Sequence, residues 1–193
     1  MAVEFEIKYK ATPESLNAIK DAVTGEIRSI AMETTYYDTP SGVLASRRYT
    51  LRRRMENGVP VCTLKAPTAG MGRGEWETAC ENIEDAISAL CKLGAPEDLP
   101  VLVQEGLLSV CGAKFDRIAV TQILPDCTVE LALDSGILTG GGKQIPLCEV
   151  EVELKAGDPE GCIAYARAMA ARFGLVPEPQ SKFRRALALY QGE

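Results

Sequence analysis

Acidic and basic residues recur at alternate positions along this chain, on runs whose intervening residues are mostly apolar. In VEFEIKYK, residues 3–10, Glu4, Glu6, Lys8 and Lys10 fall on one face of an extended strand, and Val3, Phe5, Ile7 and Tyr9 on the other. In CEVEVEL, residues 148–154, Glu149, Glu151 and Glu153 align opposite Cys148, Val150, Val152 and Leu154. Glu130, Ala132 and Asp134 share a face opposite Leu131 and Leu133, and Arg73, Glu75 and Glu77 share one opposite Gly74 and Trp76. Arg52 and Arg54 share a strand face, as do Val61, Thr63 and Lys65. Three successive glutamates on one strand face repel one another, so positive charge must lie nearby. Lys8, Arg52, Arg54, Lys65, Arg73 and Arg117 offer it from other strands. Carboxylate oxygens hold hard cations such as magnesium or manganese, while arginine forks and lysine ammoniums bind phosphate oxygens. A polyanion held together with a divalent cation suits such a surface, and a triphosphate is the ligand it points to.

The chemistry is bounded by what the chain lacks. It has no histidine, which removes every imidazole mechanism, including Ser-His-Asp and Cys-His catalysis. Seven cysteines, at 62, 80, 91, 111, 127, 148 and 162, form no C-x-x-C pair and read as small buried apolar residues in a reducing compartment. With 193 residues, 46% of them hydrophobic and 25% charged, the chain reads as one globular domain over 1–193. No apolar run approaches the roughly 18 residues of a membrane span, and an acid at position 4 is unlike a signal peptide, so a cytoplasmic protein without a membrane partner is expected. A net charge of −6 argues against a nucleic-acid partner.

The elements that must position these residues are legible in part. ATPESLNAIKDAV, 11–23, reads as a helix capped by Thr12 with Pro13 in its first position and Leu16, Ile19 and Val23 on one face. The stretch 34–67 reads as a hairpin series broken at DTPSG and ENG, followed by an extended run over 72–80. Helices are expected over 81–94, with Asn82 as cap and Gly94 as stop, and over 98–112. Strands are expected over 113–124, 127–136 and 144–157, then a helix from Asp158 to Gly174 and a short helix in SKFRRALALYQ. The class is α+β. Two architectures satisfy the charged faces: an open sheet with its charged side in solvent, or a barrel with a charged interior and helices over its apolar outside.

EFEIK at 4–8 resembles the E-x-E-x-K signature of the CYTH, or triphosphate tunnel metalloenzyme, superfamily. YYDT at 36–39, LRRR at 51–54, TLK at 63–65, RGEWE at 73–77, ELALD at 130–134, CEVEVEL at 148–154 and SK at 181–182 resemble its later motifs in order. The resemblance implies an eight-stranded antiparallel β-barrel, a triphosphate tunnel with helices packed outside, binding a triphosphate with one or two Mg2+ or Mn2+ ions. It further implies that Glu4, Glu6, Asp134, Glu149 and Glu151 face metal, and that Lys8, Arg52, Arg54, Lys65, Arg73, Arg117, Lys182 and Arg185 hold phosphate oxygens. Glu4, Glu6, Lys8, Lys65 and Glu151 form the expected catalytic set, with Glu75, Glu77, Glu130 and Glu153 on the tunnel wall. Arg53 and Lys10 are expected to face outward or lie at the mouth, and Tyr36 and Tyr37 to pack.

The LCEVEVELKAGD run and the FGL and SKFRRAL segments are similar to bacterial inorganic triphosphatases, which often carry a further CHAD domain. The expected activity is metal-dependent hydrolysis of inorganic tripolyphosphate to pyrophosphate and phosphate, by a monomer or homodimer. Class IV adenylyl cyclase, thiamine triphosphatase and a non-catalytic polyphosphate- or nucleotide-binding module are the alternatives.

Overall fold

The computed structural model describes residues 2–68 and 73–192, with the side chains of residues 2–4, Glu4 among them, lying outside that description. The first half of the chain forms β1 (Ala2–Glu4), β2 (Glu6–Lys10), α1 (Pro13–Ala22), β3 (Ile27–Asp38), α2 (Val43–Ser46), β4 (Thr50–Glu56), β5 (Val59–Pro67) and β6 (Arg73–Ala79). The second half forms α3 (Ile83–Lys92), α4 (Leu99–Leu102), β7 (Leu108–Ile123), β8 (Cys127–Gly140), β9 (Lys143–Gly157), α5 (Pro159–Phe173), β10 (Val176–Pro177) and α6 (Lys182–Gln191).

Local chemistry accounts for most of these boundaries. Thr12 and Ser15 form a reciprocal capping box that starts α1, while Asn82, Asp158 and Ser181 each accept a backbone N–H at the start of α3, α5 and α6. Asn57 and Gly58, with φ of 49° and 83°, make the left-handed pair that a two-residue hairpin between β4 and β5 requires. The DTPSG stretch behaves differently from a hairpin turn. Its buried Asp38 carboxylate accepts the N–H groups of Thr39, Leu44 and Ala45 at 2.7, 2.9 and 3.0 Å, and so winds the chain into α2 before β4 begins.

The helix expected over 98–112 is a correction. Only the four-residue α4 forms, Asp98 gives it no side-chain cap, and Gly106 takes a left-handed φ of 95°. From Leu108 onward, ladders with β3 and β8 take the backbone hydrogen bonds instead.

The strands form one 10-stranded antiparallel sheet in the order β1-β6-β5-β4-β3-β7-β8-β9-β2-β10. An eight-stranded closed barrel was the expectation; among the described residues no ladder closes the sheet on itself. The reason lies in the opening stretch, where Phe5 divides one continuous run into two strands. β1 pairs with β6 at one end of the sheet, and β2 pairs with β9 near the other, Lys8 opposite Glu151 and Glu6 opposite Glu153.

Three hydrophobic clusters hold helices to the sheet. α1 and α5 cover one through Leu16, Ile19, Cys162 and Met169, packed on Leu131, Leu133, Val150 and Val152. α3 covers a second through Ile83, Ile87 and Leu90, packed on Cys62, Leu64 and Trp76. Each fully buried side chain of this kind contributes roughly 1.5–3 kcal/mol of burial free energy. The third cluster corrects the expectation that all helices pack outside. Phe183, Ala186 and Leu187 of α6 pack on Met32, Tyr36, Phe115, Leu138 and Leu147. Phe115 and Arg117 share a strand face, so α6 lies on the charged side of the sheet. Its apolar stripe at i, i+3 and i+4 meets the apolar residues of that face.

Candidate active site

A cavity of about 380 Å³ opens beside α6, lined by side chains from every strand from β2 to β9 and by Ser181, Lys182 and Phe183. Glu6, Lys8, Arg52, Arg54, Lys65, Arg73, Arg117, Glu151 and Lys182 all line it, together with Glu75, Glu77, Glu130 and Glu153. Asp134 and Glu149 stand immediately behind that lining, joined to it through Arg117 and Lys182, and Arg185 pairs with Glu149 behind them. The Glu4 side chain lies outside the described residues.

Register explains the densest part of the site. Asp134 of β8 stands opposite Arg117 of β7 on one side and Glu149 of β9 on the other, with Glu151 two residues along the same face. Asp134 and Glu149 are both 0% exposed. Arg117 donates through Nε and Nη2 to Asp134, at 2.7 Å each, and through Nη2 to Glu151 at 2.5 Å. The Lys182 ammonium lies 2.8 Å from Asp134 and 2.7 Å from Glu151, and also pairs with Glu149. Arg185 pairs with Glu149 and reaches Glu178 at 3.5 Å. The first turn of α6 therefore carries three cations, Lys182, Arg184 and Arg185, where a helix dipole favours anions. The buried carboxylates compensate for two of them.

These pairings set the ionisation of the cluster. Burial, with help from the Glu151 carboxylate, pushes Glu149 up to about 7 against the opposing pull of Lys182 and Arg185. Burial would also raise Glu151, but Lys182 and Arg117 outweigh it and hold that carboxyl well below the usual range. Lys182 and Arg117 are raised in turn, because the surrounding carboxylates outweigh the burial that would lower them.

Asp134, Glu149 and Glu151 each offer a carboxylate oxygen, and these atoms lie within 4.8 Å of one another. Hard oxygen donors at that spacing could hold a divalent cation, so the residues fit one by donor type and number. The position is contested by Lys182, whose ammonium touches all three. Glu6 is not part of this group: it pairs with Lys8 at 2.8 Å and faces Glu153 across the ladder. Among the described members of the expected metal set, register thus sets Glu6 apart from Asp134, Glu149 and Glu151.

The opposite wall is basic. Arg52 lies 3.5 Å from Glu75 and 3.8 Å from Glu77, and Lys65 lies 3.4 Å from Glu75. Burial and the neighbouring Arg52 lower Arg54, which donates to Glu56 at 2.7 Å through Nε. Arg73 lines the cavity, but its Nη2 donates to the carbonyls of Arg48 and Lys65 at 2.8 and 3.0 Å and to the Thr50 hydroxyl at 3.1 Å.

The remaining expectations resolve simply. Arg53 turns to Glu81 at 3.3 Å, and Lys10 is 61% exposed beside Glu178. Tyr36 is buried with its ring centroid 5.1 Å from that of Phe183. The cysteines are unpaired, and burial pushes the Cys62 and Cys162 thiols up to about 11 and Cys111 to about 12, leaving them protonated at neutral pH. Among the described residues no helix is long and apolar enough to cross a membrane.

The charged cavity-lining residues that were not expected from sequence are Arg28, Glu56 and Lys155. Lys155 continues the alternation of Glu149, Glu151 and Glu153 and was legible from it. Arg28 starts a strand face that continues through Ile30, Met32, Thr34 and Tyr36, which on its own reads as core. Buried Glu178, in the segment between β10 and α6, had no periodic signal at all.

Known proteins share this arrangement of elements. An inorganic triphosphatase from Haemophilus influenzae is 25% identical over 169 residues, covering 85% of this chain and 47% of that protein, so the chain spans about half the length of that relative. A solved structure from Hippeastrum, described as a candidate adenylyl cyclase with a dominant triphosphatase activity, superposes with a TM-score of 0.68 at 18% identity, covering 98% of this chain and 95% of its own. The PH1819 protein of Pyrococcus horikoshii superposes with a TM-score of 0.63 at 19% identity, covering 98% and 99%. At these identities the structural likenesses show the fold. The CYTH domain profile matches residues 2–187, and the chain belongs to the CYTH domain family.

Proposed function

We propose that this chain is a divalent-cation-dependent triphosphatase, and that inorganic tripolyphosphate is its favoured substrate. The observation that carries the reading is the convergence of cations and carboxylates from every strand between β2 and β9 on one cavity. That convergence, and the single residue Phe5 tying β1 to β2, also support a sheet that wraps around its ligand as a tunnel. The triphosphatase named among the curated relatives agrees with the activity.

In the reaction, a water oxygen bonds to the terminal phosphorus, the bridging P–O bond breaks, pyrophosphate leaves and the water gives up a proton. Arg52, Arg54 and Lys65 on one wall, with Lys8 reaching in from β2 beside Glu6, bind and orient the phosphate chain and offset charge that develops on the leaving oxygens. Asp134, Glu149 and Glu151 on the other wall would hold a metal, with Glu6 set apart from them beside Lys8. A divalent ion supplies positive charge against phosphate oxygens and makes water a better nucleophile. Lys182, Arg117 and Arg185 keep that carboxylate cluster neutralised and oriented. Glu4 completes the opening signature in this reading.

The choice of an unsubstituted chain rests on the cavity's aromatic rings. Tyr36, Phe115 and Phe183, the rings in its described wall, are all buried, and Phe115 is flanked by Arg117 and Lys182 at 5.8 and 5.5 Å from its centroid. None presents a face on which a base could stack. Phosphate and pyrophosphate release from tripolyphosphate, ATP and thiamine triphosphate, each with magnesium or manganese, tests the choice. Tripolyphosphate is expected to be cleaved fastest; pyrophosphate with cyclic AMP from ATP would make the protein a cyclase, and tight binding without turnover a binding module.

A further inference from the structure

The cavity extends past the cations assigned above, and its two ends differ. One end is closed by α6, where Phe183 packs on Tyr36, Leu138 and Leu147. Arg28 of β3 and Lys155 of β9 stand at the opposite ends of the same two strand faces: eight residues before Tyr36 on β3, and eight after Leu147 on β9. Both line the cavity. Their side chains are 49% and 41% exposed, against 13% for Arg52 and Arg117 and 14% for Lys65.

The ladder explains how they meet. Arg28 stands opposite Ala119 on β7, and Ala119 opposite Ala132 on β8. These small side chains leave a lane through which Arg28 crosses β7 to pair with Glu130. Lys155 lies 2.8 Å from Glu153 and 3.9 Å from the same Glu130. The mouth of the cavity therefore carries a guanidinium and an ammonium parked on two wall carboxylates.

We propose that Arg28 and Lys155 form an outer subsite for a phosphate group beyond the three held by the inner cations, so that linear polyphosphates of four or more phosphates bind better than tripolyphosphate. This rests on the triphosphatase reading of the cavity. Both cations are partly in solvent, and their two carboxylates share them, so either cation can turn from its carboxylate to a phosphate oxygen at less cost than a fully buried one. The buried pairs of Arg117 and Lys182 offer no such freedom. Arg28 adds a planar fork suited to two phosphate oxygens at once. With Glu130 and Glu153 in the same wall, the two cations are also what makes this mouth passable for a polyanion.

The test compares KM for tripolyphosphate and for tetrapolyphosphate of defined length, at saturating magnesium and fixed ionic strength. Wild type should bind tetrapolyphosphate about three- to ten-fold better. The double variant Arg28→Gln, Lys155→Gln should lose that preference while its KM for tripolyphosphate stays within about two-fold. Lys155→Gln alone should lose part of it, and the charge-preserving pair Arg28→Lys, Lys155→Arg should keep it. Equal KM values in wild type would overturn the subsite. So would a variant that weakens both substrates in proportion, since the pair would then act only as general steering charge. If wild type neither binds nor cleaves either compound, the triphosphatase reading itself fails, and the subsite with it.

Discussion

The acidic wall on β8 and β9 and the basic wall on β4 and β5 are written in the same alternating pattern, yet they are neutralised in different ways. Asp134, Glu149 and Glu151 draw one cation, Arg117, from the adjacent strand β7 and two, Lys182 and Arg185, from α6, about thirty residues beyond Glu151. The basic wall finds carboxylates on the neighbouring β6, with Arg52 and Lys65 both facing Glu75. One wall is locked by buried ion pairs that α6 completes, and the other is balanced within the sheet. A metal entering the first must contend with Lys182, while a phosphate reaching the second meets cations already aimed into the cavity.

The comparison breaks most directly at Lys182. Lys182→Ala leaves two buried carboxylates and the partly buried Glu151 short of an ammonium and should cost about 3–5 kcal/mol in denaturant unfolding. Added magnesium or manganese should restore part of that loss, and should raise the melting temperature of the variant more than that of wild type. No recovery with either ion would mean that these carboxylates serve the ion-pair network alone.

Glu151→Gln should lower kcat by roughly a hundred-fold or more while circular dichroism stays native, because the amide keeps the shape and loses the charge. On the other wall, Lys65→Ala should raise KM for tripolyphosphate about ten-fold and change stability by less than about 1 kcal/mol. A variant with unchanged KM would remove Lys65 from the phosphate-binding set.

The smallest effect is on pH dependence in metal-free protein. Folded Glu149 keeps its proton up to about 7, whereas the unfolded chain releases it near 4.5, so the folded state binds more protons between those values. Its contribution to stability should therefore fall as pH rises through that window. Glu151, held below the usual carboxylate range, acts in the opposite sense: its contribution is present above 4.5 and is lost as pH falls. Glu149→Gln should flatten the first slope, and an unchanged slope in urea unfolding between those pH values would show that another group carries it.

Alternation made the charged faces legible from sequence, because side-chain direction along a strand has a strict period of two. It could not reveal partners. Nothing in Asp134 or Glu149 announces Lys182, which arrives from a helix about thirty residues after the last of them. The same limit hid the side on which α6 packs, since an apolar stripe records that a helix is covered but not by which sheet face. The expected helix over 98–112 failed where a short apolar run fits helix and buried strand equally well, and there the ladders with β3 and β8 decided the outcome. Arg28 stayed hidden because it opens a face that is otherwise apolar or hydroxylic.

The most direct test of the central claim is phosphate release from tripolyphosphate by wild type and by Glu151→Gln and Lys65→Ala, with magnesium or manganese and with excess chelator. The account predicts rapid release by wild type that chelator stops, loss of kcat in the first variant and a raised KM in the second. Release that survives chelator and both substitutions would contradict it, because the reaction would then take place outside this cavity.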